Sequence, residues 1–86
     1  MGKTIRVEVT AEDIAKGERR VAWRCPIALA CGRVFGEPII GRDGCNLTVE
    51  GRRLTDVELP AVAKRFTLDF DECRPVEPFA FDLELP

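Results

Sequence analysis

The chain contains neither histidine nor tyrosine among its 86 residues. Histidine is the commonest general base and the commonest metal ligand, so its absence excludes Ser–His and Cys–His catalytic pairs. The seven glycines form neither a G-x-G-x-x-G pattern nor a P-loop, which excludes the phosphate-binding loops that these motifs build. We therefore expect a protein that is not an enzyme and that binds no cofactor.

The sequence also lacks a strong excess of one charge and any long apolar run. Thirteen Lys and Arg residues stand against fifteen Asp and Glu residues, for a net charge of -2, so no general basic excess indicates nucleic acid. No apolar run approaches the ~18 residues of a membrane span. Residues 1–6 lead into a strand pattern without the apolar stretch of a signal peptide. These features predict a cytoplasmic protein without membrane contact.

Four cysteines are present, but their spacing is unlike that of a metal site. Structural zinc sites present two ligands from a C-x2-4-C turn, whereas Cys25 and Cys31 are separated by five residues and Cys45 and Cys73 are isolated. We expect no bound metal, with Cys31 and Cys45 buried and Cys25 and Cys73 nearer to the surface. A zinc-binding protein with cysteine ligands is nevertheless one of three functional hypotheses.

Cys25 is the candidate for a reactive thiol. It precedes Pro26 at the predicted start of a helix, and Arg19, Arg20 and Arg24 are close in sequence. A helix N-terminus and nearby cations favour a thiolate, which would make the side chain reactive. The alternative is that this cysteine caps the helix, because the sequence offers no resolving cysteine at C-x-x-C spacing.

The hydrophobic pattern predicts one small α+β domain over residues 1–86, with the element order β-α-α-β-β-α-β. We expect the helices to pack on one face of a mainly antiparallel sheet. The two terminal strands each alternate between an apolar and a charged face, which is typical of a sheet with one solvated side. The predicted strands cover residues 5–9, 39–42, 45–50 and 79–85, and the predicted helices cover residues 11–16, 26–35 and 59–70.

The ends of these helices carry local signals. Thr10 is the predicted N-cap of the first helix, with Asp13 at the third position of a capping box. Gly17 stands where a left-handed residue would end that helix. The third helix has an apolar stripe with helical spacing, which predicts its buried face. The residues of this stripe are Leu59, Val62, Ala63, Phe66 and Phe70.

The dipeptide at residues 43–44, Asp-Gly, is a strong signal for a two-residue hairpin turn. This turn predicts a register in which Arg42 lies opposite Cys45 and Ile40 lies opposite Leu47. Residues 51–54 either continue the second strand or turn back as a third, and the sequence does not decide between them.

Cations and the single tryptophan are concentrated in one predicted loop, with a second group of arginines on the hairpin. Arginine and tryptophan are typical of the hot spots of protein interfaces. A basic segment with an aromatic ring also suits single-stranded nucleic acid, and the third alternative is ordinary solvated surface with the indole packed over the first helix. The candidate partner-binding residues are Arg19, Arg20, Trp23, Arg24, Arg52 and Arg53.

Four short segments carry a resemblance: residues 9–14 (Val-Thr-Ala-Glu-Asp-Ile) with Gly17, residues 25–30 (Cys-Pro-Ile-Ala-Leu-Ala), residues 70–71, and residues 75–81 (Pro-Val-Glu-Pro-Phe-Ala-Phe). The chain resembles a family of small uncharacterised proteins of tailed bacteriophages and prophages of high-GC bacteria. The resemblance carries over no activity, cofactor or catalytic residue. It implies a protein of the bacterial cytoplasm that binds a host enzyme or a defence complex and blocks it.

We therefore predict a non-enzymatic, protein-binding accessory protein, of the kind that phages encode to inhibit a host or defence protein, as anti-CRISPR proteins do. It would contact a host-encoded partner through the loop that carries Trp23 or through an exposed sheet edge. A homodimer across edge strands is a further expectation. The alternative is a small nucleic-acid-binding module that uses the same loop and the hairpin arginines.

Overall fold

The computed structural model describes residues 2–41 and 43–85, which contain three helices and five strands. The α+β class and the predicted succession of elements are confirmed. Residues 52–54, which the sequence left open, begin a strand that turns back along the hairpin. The strands are β1 (Lys3–Val9), β2 (Gly36–Ile40), β3 (Gly44–Val49), β4 (Arg52–Glu58) and β5 (Phe79–Leu85), and the helices are α1 (Ala11–Lys16), α2 (Pro26–Gly32) and α3 (Ala61–Asp71).

The strands form two antiparallel sheets rather than the one sheet expected. The terminal strands β1 and β5 pair with each other, and β2, β3 and β4 form a meander. Each edge strand of the meander has one local irregularity. On β2, the Ile40 amide already donates to the carbonyl of Ala22 at 2.8 Å. On β4, Asp56 has a φ of 55°, which interrupts the regular ladder.

One apolar core joins the two sheets and the helices. Every strand and the two longer helices contribute side chains to it, so the elements depend on one another for burial. Burial of a large aliphatic side chain contributes about 1.5–3 kcal/mol, which makes these positions the main source of stability. The large aliphatic side chains that are almost fully buried are Val7, Val9, Ile27, Leu47, Leu59 and Leu83.

The predicted register of the β2–β3 hairpin is wrong. Ile40 pairs with Cys45 and not with Leu47. Beyond this pair, the Gly41 amide donates to the carbonyl of Gly44, the first residue of β3, at 2.8 Å. The predicted partner of Cys45, Arg42, lies outside the described residues.

The two-residue turn of this sheet lies between β3 and β4 instead. Val49 pairs with Arg52, which leaves Glu50 and Gly51 as the central residues. Their φ values are 49° and 79°, and positive values at both positions are the requirement of a type I′ turn. Glycine at the second position meets this requirement without strain.

The capping box at the start of α1 is confirmed. The Thr10 hydroxyl accepts from the Asp13 amide at 3.2 Å, and the Asp13 carboxylate accepts from the Thr10 amide at 2.9 Å. The left-handed conformation expected of Gly17 is wrong, because its φ and ψ are -69° and 150°. The site needs glycine because a Cβ there would lie 2.6 Å from the ring carbons of Pro26.

The buried stripe of α3 differs from the predicted one at a single turn. Val62, expected in the core, is 51% exposed, and Thr67 is only 8% exposed. The buried positions on the helix are therefore Ala63, Phe66, Thr67 and Phe70, spaced at i, i+3, i+4 and i+7. This helix face brings a polar side chain into the core.

No helix within the described residues has the length and apolar character to cross a membrane.

Candidate functional site

Residues 17–25, which we name the arginine–tryptophan loop, connect α1 to α2. The loop is closed on itself by a hydrogen bond from the Glu18 amide to the Arg24 carbonyl at 2.8 Å. It is also joined to β2, because the Ala22 carbonyl accepts from the Ile40 amide at 2.8 Å. Backbone bonds at both places hold the loop in one conformation although it has no regular secondary structure.

Two arginines anchor the loop to the C-terminal end of α3. The Arg19 Nε donates to the Phe70 carbonyl at 3.2 Å, and its guanidinium lies 5.4 Å from the centre of the Phe70 ring. The Arg20 amide donates to the Asp71 carboxylate at 3.0 Å, with Arg20 at a φ of 62°. Arg19 therefore serves the fold, whereas the side chain of Arg20 is left for other contacts.

Trp23 projects from this anchored loop into solvent. It is 65% exposed, the highest value among the large apolar side chains of the described residues, so it is not packed over α1. Ile39 is 41% exposed. The hydrogen bond between Ile40 and Ala22 joins the peptide units that contain Ile39 and Trp23, so their α-carbons lie within about 8 Å. We name these two side chains the Trp23–Ile39 patch.

The cation next to the tryptophan is neutralised within the loop. The Arg24 Nε lies 2.8 Å from the Glu18 carboxylate, and both side chains are at least half exposed. An exposed pair of this kind adds little stability, typically under about 1 kcal/mol. Its effect on the site is to reduce the positive charge that the loop presents.

The hairpin arginines lie elsewhere. Arg52 and Arg53 pair with Val49 and Thr48, at the far end of β3 from the loop. Arg53 donates to the Glu37 carbonyl at 2.7 Å. The separation along β3 between this end and the loop is about 10 Å, at 3.3 Å per residue. The six candidate partner-binding residues thus fall into two groups, four in the loop and two on the hairpin.

Cys25 occupies the predicted N-cap, but its environment is the opposite of the one expected for a reactive thiol. Its Sγ accepts from the Ala28 amide at 3.4 Å, and the residue is only 7% exposed. Burial raises the pKa of this thiol despite the hydrogen bonds at the helix start. Cys25 is therefore a buried helix cap, which was the alternative left open by the sequence, and not an accessible thiolate.

The other cysteines follow the predicted burial. Cys31 and Cys45 are buried and Cys73 is exposed. Burial raises the pKa of Cys31 to about 12 and that of Cys45 to about 11, so these thiols stay protonated at neutral pH. Within residues 2–41 and 43–85, no group of three or more Cys, Asp or Glu side chains is arranged to hold a metal ion.

A groove of about 630 Å³ lies between the arginine–tryptophan loop and α3. We name it the loop–helix groove. A smaller groove of about 160 Å³ adjoins it, shares Arg20 and Thr67 with it, and extends to Cys25. Sequence reasoning missed this site because its residues come from three distant segments of the chain. The loop–helix groove is lined by Arg20, Asp43, Lys64, Arg65, Thr67, Leu68, Asp71 and Glu72.

Thr67 lies where the two grooves meet. Its hydroxyl is buried and has no hydrogen-bond partner among the described residues. A threonine within a helix commonly bonds back to the preceding turn, and this one does not. The orphaned hydroxyl is a signal that the sequence does not reveal, because it depends on the face of α3 that the fold buries.

Comparisons with known proteins leave the function to be argued from this site. No protein-family model, no curated protein and no solved structure matches the chain. The resemblance to small phage proteins stays a prediction.

Proposed function

We propose that the chain is a non-enzymatic binding protein that attaches to a protein partner through the Trp23–Ile39 patch. The observation that carries the proposal is a tryptophan that is 65% exposed on a loop fixed by backbone hydrogen bonds. Tryptophan is among the residues that dominate interface energies. A loop that is already ordered loses little conformational entropy when it binds, so more of the contact energy appears as affinity.

The charges favour a protein partner over nucleic acid. Binding to a phosphate backbone depends on several free cations that release counterions together. In the loop, Arg24 is paired with Glu18 at 2.8 Å and Arg19 is bonded to α3. The hairpin arginines lie at the other end of the sheet. Arg20 is thus the one arginine of the loop whose side chain the fold does not engage among the described residues, fewer than the several free cations that a phosphate backbone favours.

The partner that we propose is a host or defence protein in the bacterial cytoplasm, which the chain would inhibit by covering a surface. This mode of action needs no catalytic group. The cysteines at residues 25, 31, 45 and 73 are all free thiols, in keeping with a reducing compartment. The expected homodimer is a separate proposal, and light scattering of the purified protein would test it.

The test is affinity capture from lysate of the bacterial host, with and without nuclease, using the wild-type protein, Trp23→Ala and Val34→Ala. Val34 is a matched control, because it is 49% exposed and belongs to a different surface beside Arg6 and Thr10. We expect one stoichiometric, nuclease-resistant partner with the wild type and with Val34→Ala. Trp23→Ala should weaken its binding about 30-fold, the loss of a hot-spot residue.

Two results would overturn the proposal. If Trp23→Ala captures the same protein as strongly as the wild type does, the patch is not the contact surface. If every partner disappears after nuclease treatment, the nucleic-acid alternative replaces the proposal. The free energy of unfolding of Trp23→Ala should stay within about 0.5 kcal/mol of the wild-type value, because the side chain is exposed. This control separates loss of contact from loss of fold.

A further inference from the structure

Trp23 lies in a turn within the arginine–tryptophan loop. The Arg24 amide donates to the Val21 carbonyl at 3.1 Å, which is the hydrogen bond that closes a β-turn of four residues. Trp23 is the third residue of this turn, so the direction in which the chain enters the turn determines where the indole points. The chain enters through Arg20, the residue that directly precedes the turn.

Arg20 has a backbone conformation that needs support from its surroundings. Its φ is 62°, in the left-handed region that is unfavourable for a residue with a Cβ. Its amide donates to the Asp71 carboxylate at 3.0 Å. Within residues 2–41 and 43–85, no other side chain from outside the loop accepts a hydrogen bond from a backbone amide of the loop. This contact is therefore what α3 supplies to the backbone of Arg20.

Asp71 has no comparable use in its own helix. It is the last residue of α3, and a carboxylate at the C-terminal end of a helix is opposed by the helix dipole. The neighbouring Glu72 carboxylate is paired with Arg74 at 3.2 Å. Among the residues that the structure describes, the Asp71 carboxylate forms no ion pair, and its one hydrogen bond comes from the Arg20 amide. The side chain of Asp71 thus serves the loop and not the helix.

From these contacts we infer that Asp71 is a positioning residue for the Trp23–Ile39 patch. Its carboxylate stabilises the left-handed conformation of Arg20, from which the chain enters the turn that carries Trp23. A loop that is ordered before binding loses less conformational entropy when it binds, so Asp71 raises the affinity for the partner without touching it. This inference rests on the proposed function and deepens it, because it names the side chain that keeps the loop ordered.

Nitrogen relaxation of the full chain tests the inference without the partner. Asp71→Ala removes the acceptor, Asp71→Asn keeps an oxygen that can accept, and Glu72→Ala removes the adjacent carboxylate as a control. Backbone amides have order parameters of about 0.85 when rigid and below about 0.6 when flexible. We expect the amides of Arg20 and Trp23 to be flexible in Asp71→Ala and rigid in the wild type and the other two variants.

The same variants test the effect on binding. Capture of the partner from host lysate should be about tenfold weaker with Asp71→Ala than with the wild type, and unchanged with Glu72→Ala. Asp71→Asn should restore most of the affinity, although a neutral acceptor is weaker than a carboxylate. The midpoint of urea unfolding should be similar for all four proteins, because Asp71 is not part of the apolar core and the Ile40 amide still joins the loop to β2.

Three results would overturn the inference. Rigid amides at Arg20 and Trp23 in Asp71→Ala would show that the loop needs no support from α3. Equal mobility of the loop in Asp71→Ala and Asp71→Asn would show that the accepted hydrogen bond is not the cause. Equal mobility in Asp71→Ala and Glu72→Ala would show that any loss of charge at this end of α3 has the same effect.

The two proposals can fail separately. If Asp71→Ala makes the loop flexible but capture from lysate does not depend on Trp23, Asp71 stands as the residue that orders the loop and the patch is rejected. If capture depends on Trp23 but the loop stays rigid in Asp71→Ala, the proposed function stands and this inference is wrong.

Discussion

Two regions of the molecule treat a buried polar side chain in opposite ways. Asp13, at the start of α1, is 4% exposed. Its carboxylate accepts from the Thr10 amide at 2.9 Å and from both terminal nitrogens of Arg33, at 2.6 and 2.7 Å. Thr67, on α3, is 8% exposed and has no partner among the described residues. The buried carboxylate of the first region has hydrogen-bond partners, whereas the buried hydroxyl of the second region has none among the described residues.

The difference separates what holds the fold from what is available for binding. Buried polar groups in proteins are almost always paired, since an unpaired one costs about 1–3 kcal/mol. At Asp13 the chain has met this requirement, and Arg33 also donates to the Glu8 carbonyl at 2.9 Å. That corner therefore joins β1, α1 and the end of α2. At Thr67 the requirement is unmet, and this residue lines the loop–helix groove.

The largest effect on stability should come from removing Arg33, which donates two hydrogen bonds to the Asp13 carboxylate. Arg33→Ala leaves the buried Asp13 carboxylate without its bidentate partner, and hydrogen bonds to charged groups contribute about 1.5–3 kcal/mol. We expect the free energy of unfolding in urea to fall by about 2 kcal/mol. Arg6→Ala is the control, because its contact with Glu8 is 3.8 Å long and exposed, and we expect a change within about 0.5 kcal/mol. Equal effects of the two variants would contradict the contrast.

The contact between Asp13 and Arg33 should also determine how the free energy of unfolding changes in acid. The hydrogen bond from Arg33 lowers the pKa of Asp13, and the Thr10 amide acts in the same direction. The unfolded chain therefore binds a proton at this carboxyl more readily than the folded chain does. The resulting stability is fully present above about pH 4, the ordinary value for aspartate, and is lost as pH falls through the lower folded pKa.

The measurement is the free energy of unfolding from pH 6 to pH 2 for the wild type and Asp13→Asn, with Asp82→Asn as the exposed control. The slope in acid should be smaller for Asp13→Asn than for either of the others. An unchanged slope for Asp13→Asn would show that this carboxyl is not held in its charged form by the fold.

Local signals in the sequence predicted one side of this comparison well. The capping box of Thr10 and Asp13 spans four residues, and the N-cap Cys25 precedes Pro26 directly, so short-range chemistry determines both. The clamp from Arg33 was not predicted, because it lies 20 residues from Asp13 and nothing in the spacing marks it. Patterns within one element are visible in a sequence, and contacts between elements are not.

In the region of the loop–helix groove, too, contacts between elements could not be predicted from the sequence. In the β2–β3 hairpin, Ile40 pairs with Cys45 and its amide donates to Ala22, a contact between distant segments that the Asp-Gly signal of residues 43–44 does not contain. On α3, the prediction considered only apolar side chains, so it placed Val62 in the core and overlooked Thr67. The loop–helix groove could not be predicted, because it forms only where the arginine–tryptophan loop and α3, which are distant in sequence, meet in the fold.

The most direct test of this account is one substitution made in both regions. Thr10→Val removes a hydroxyl that accepts from the Asp13 amide at 3.2 Å, and should lower the free energy of unfolding by about 1 kcal/mol. Thr67→Val removes the orphaned hydroxyl. It should raise the free energy of unfolding by about 1 kcal/mol.

Urea unfolding of the two valine variants and of the wild type gives the decisive comparison. The account predicts opposite signs for the two changes in the free energy of unfolding. A loss of stability in Thr67→Val would contradict it, because the hydroxyl would then serve the fold.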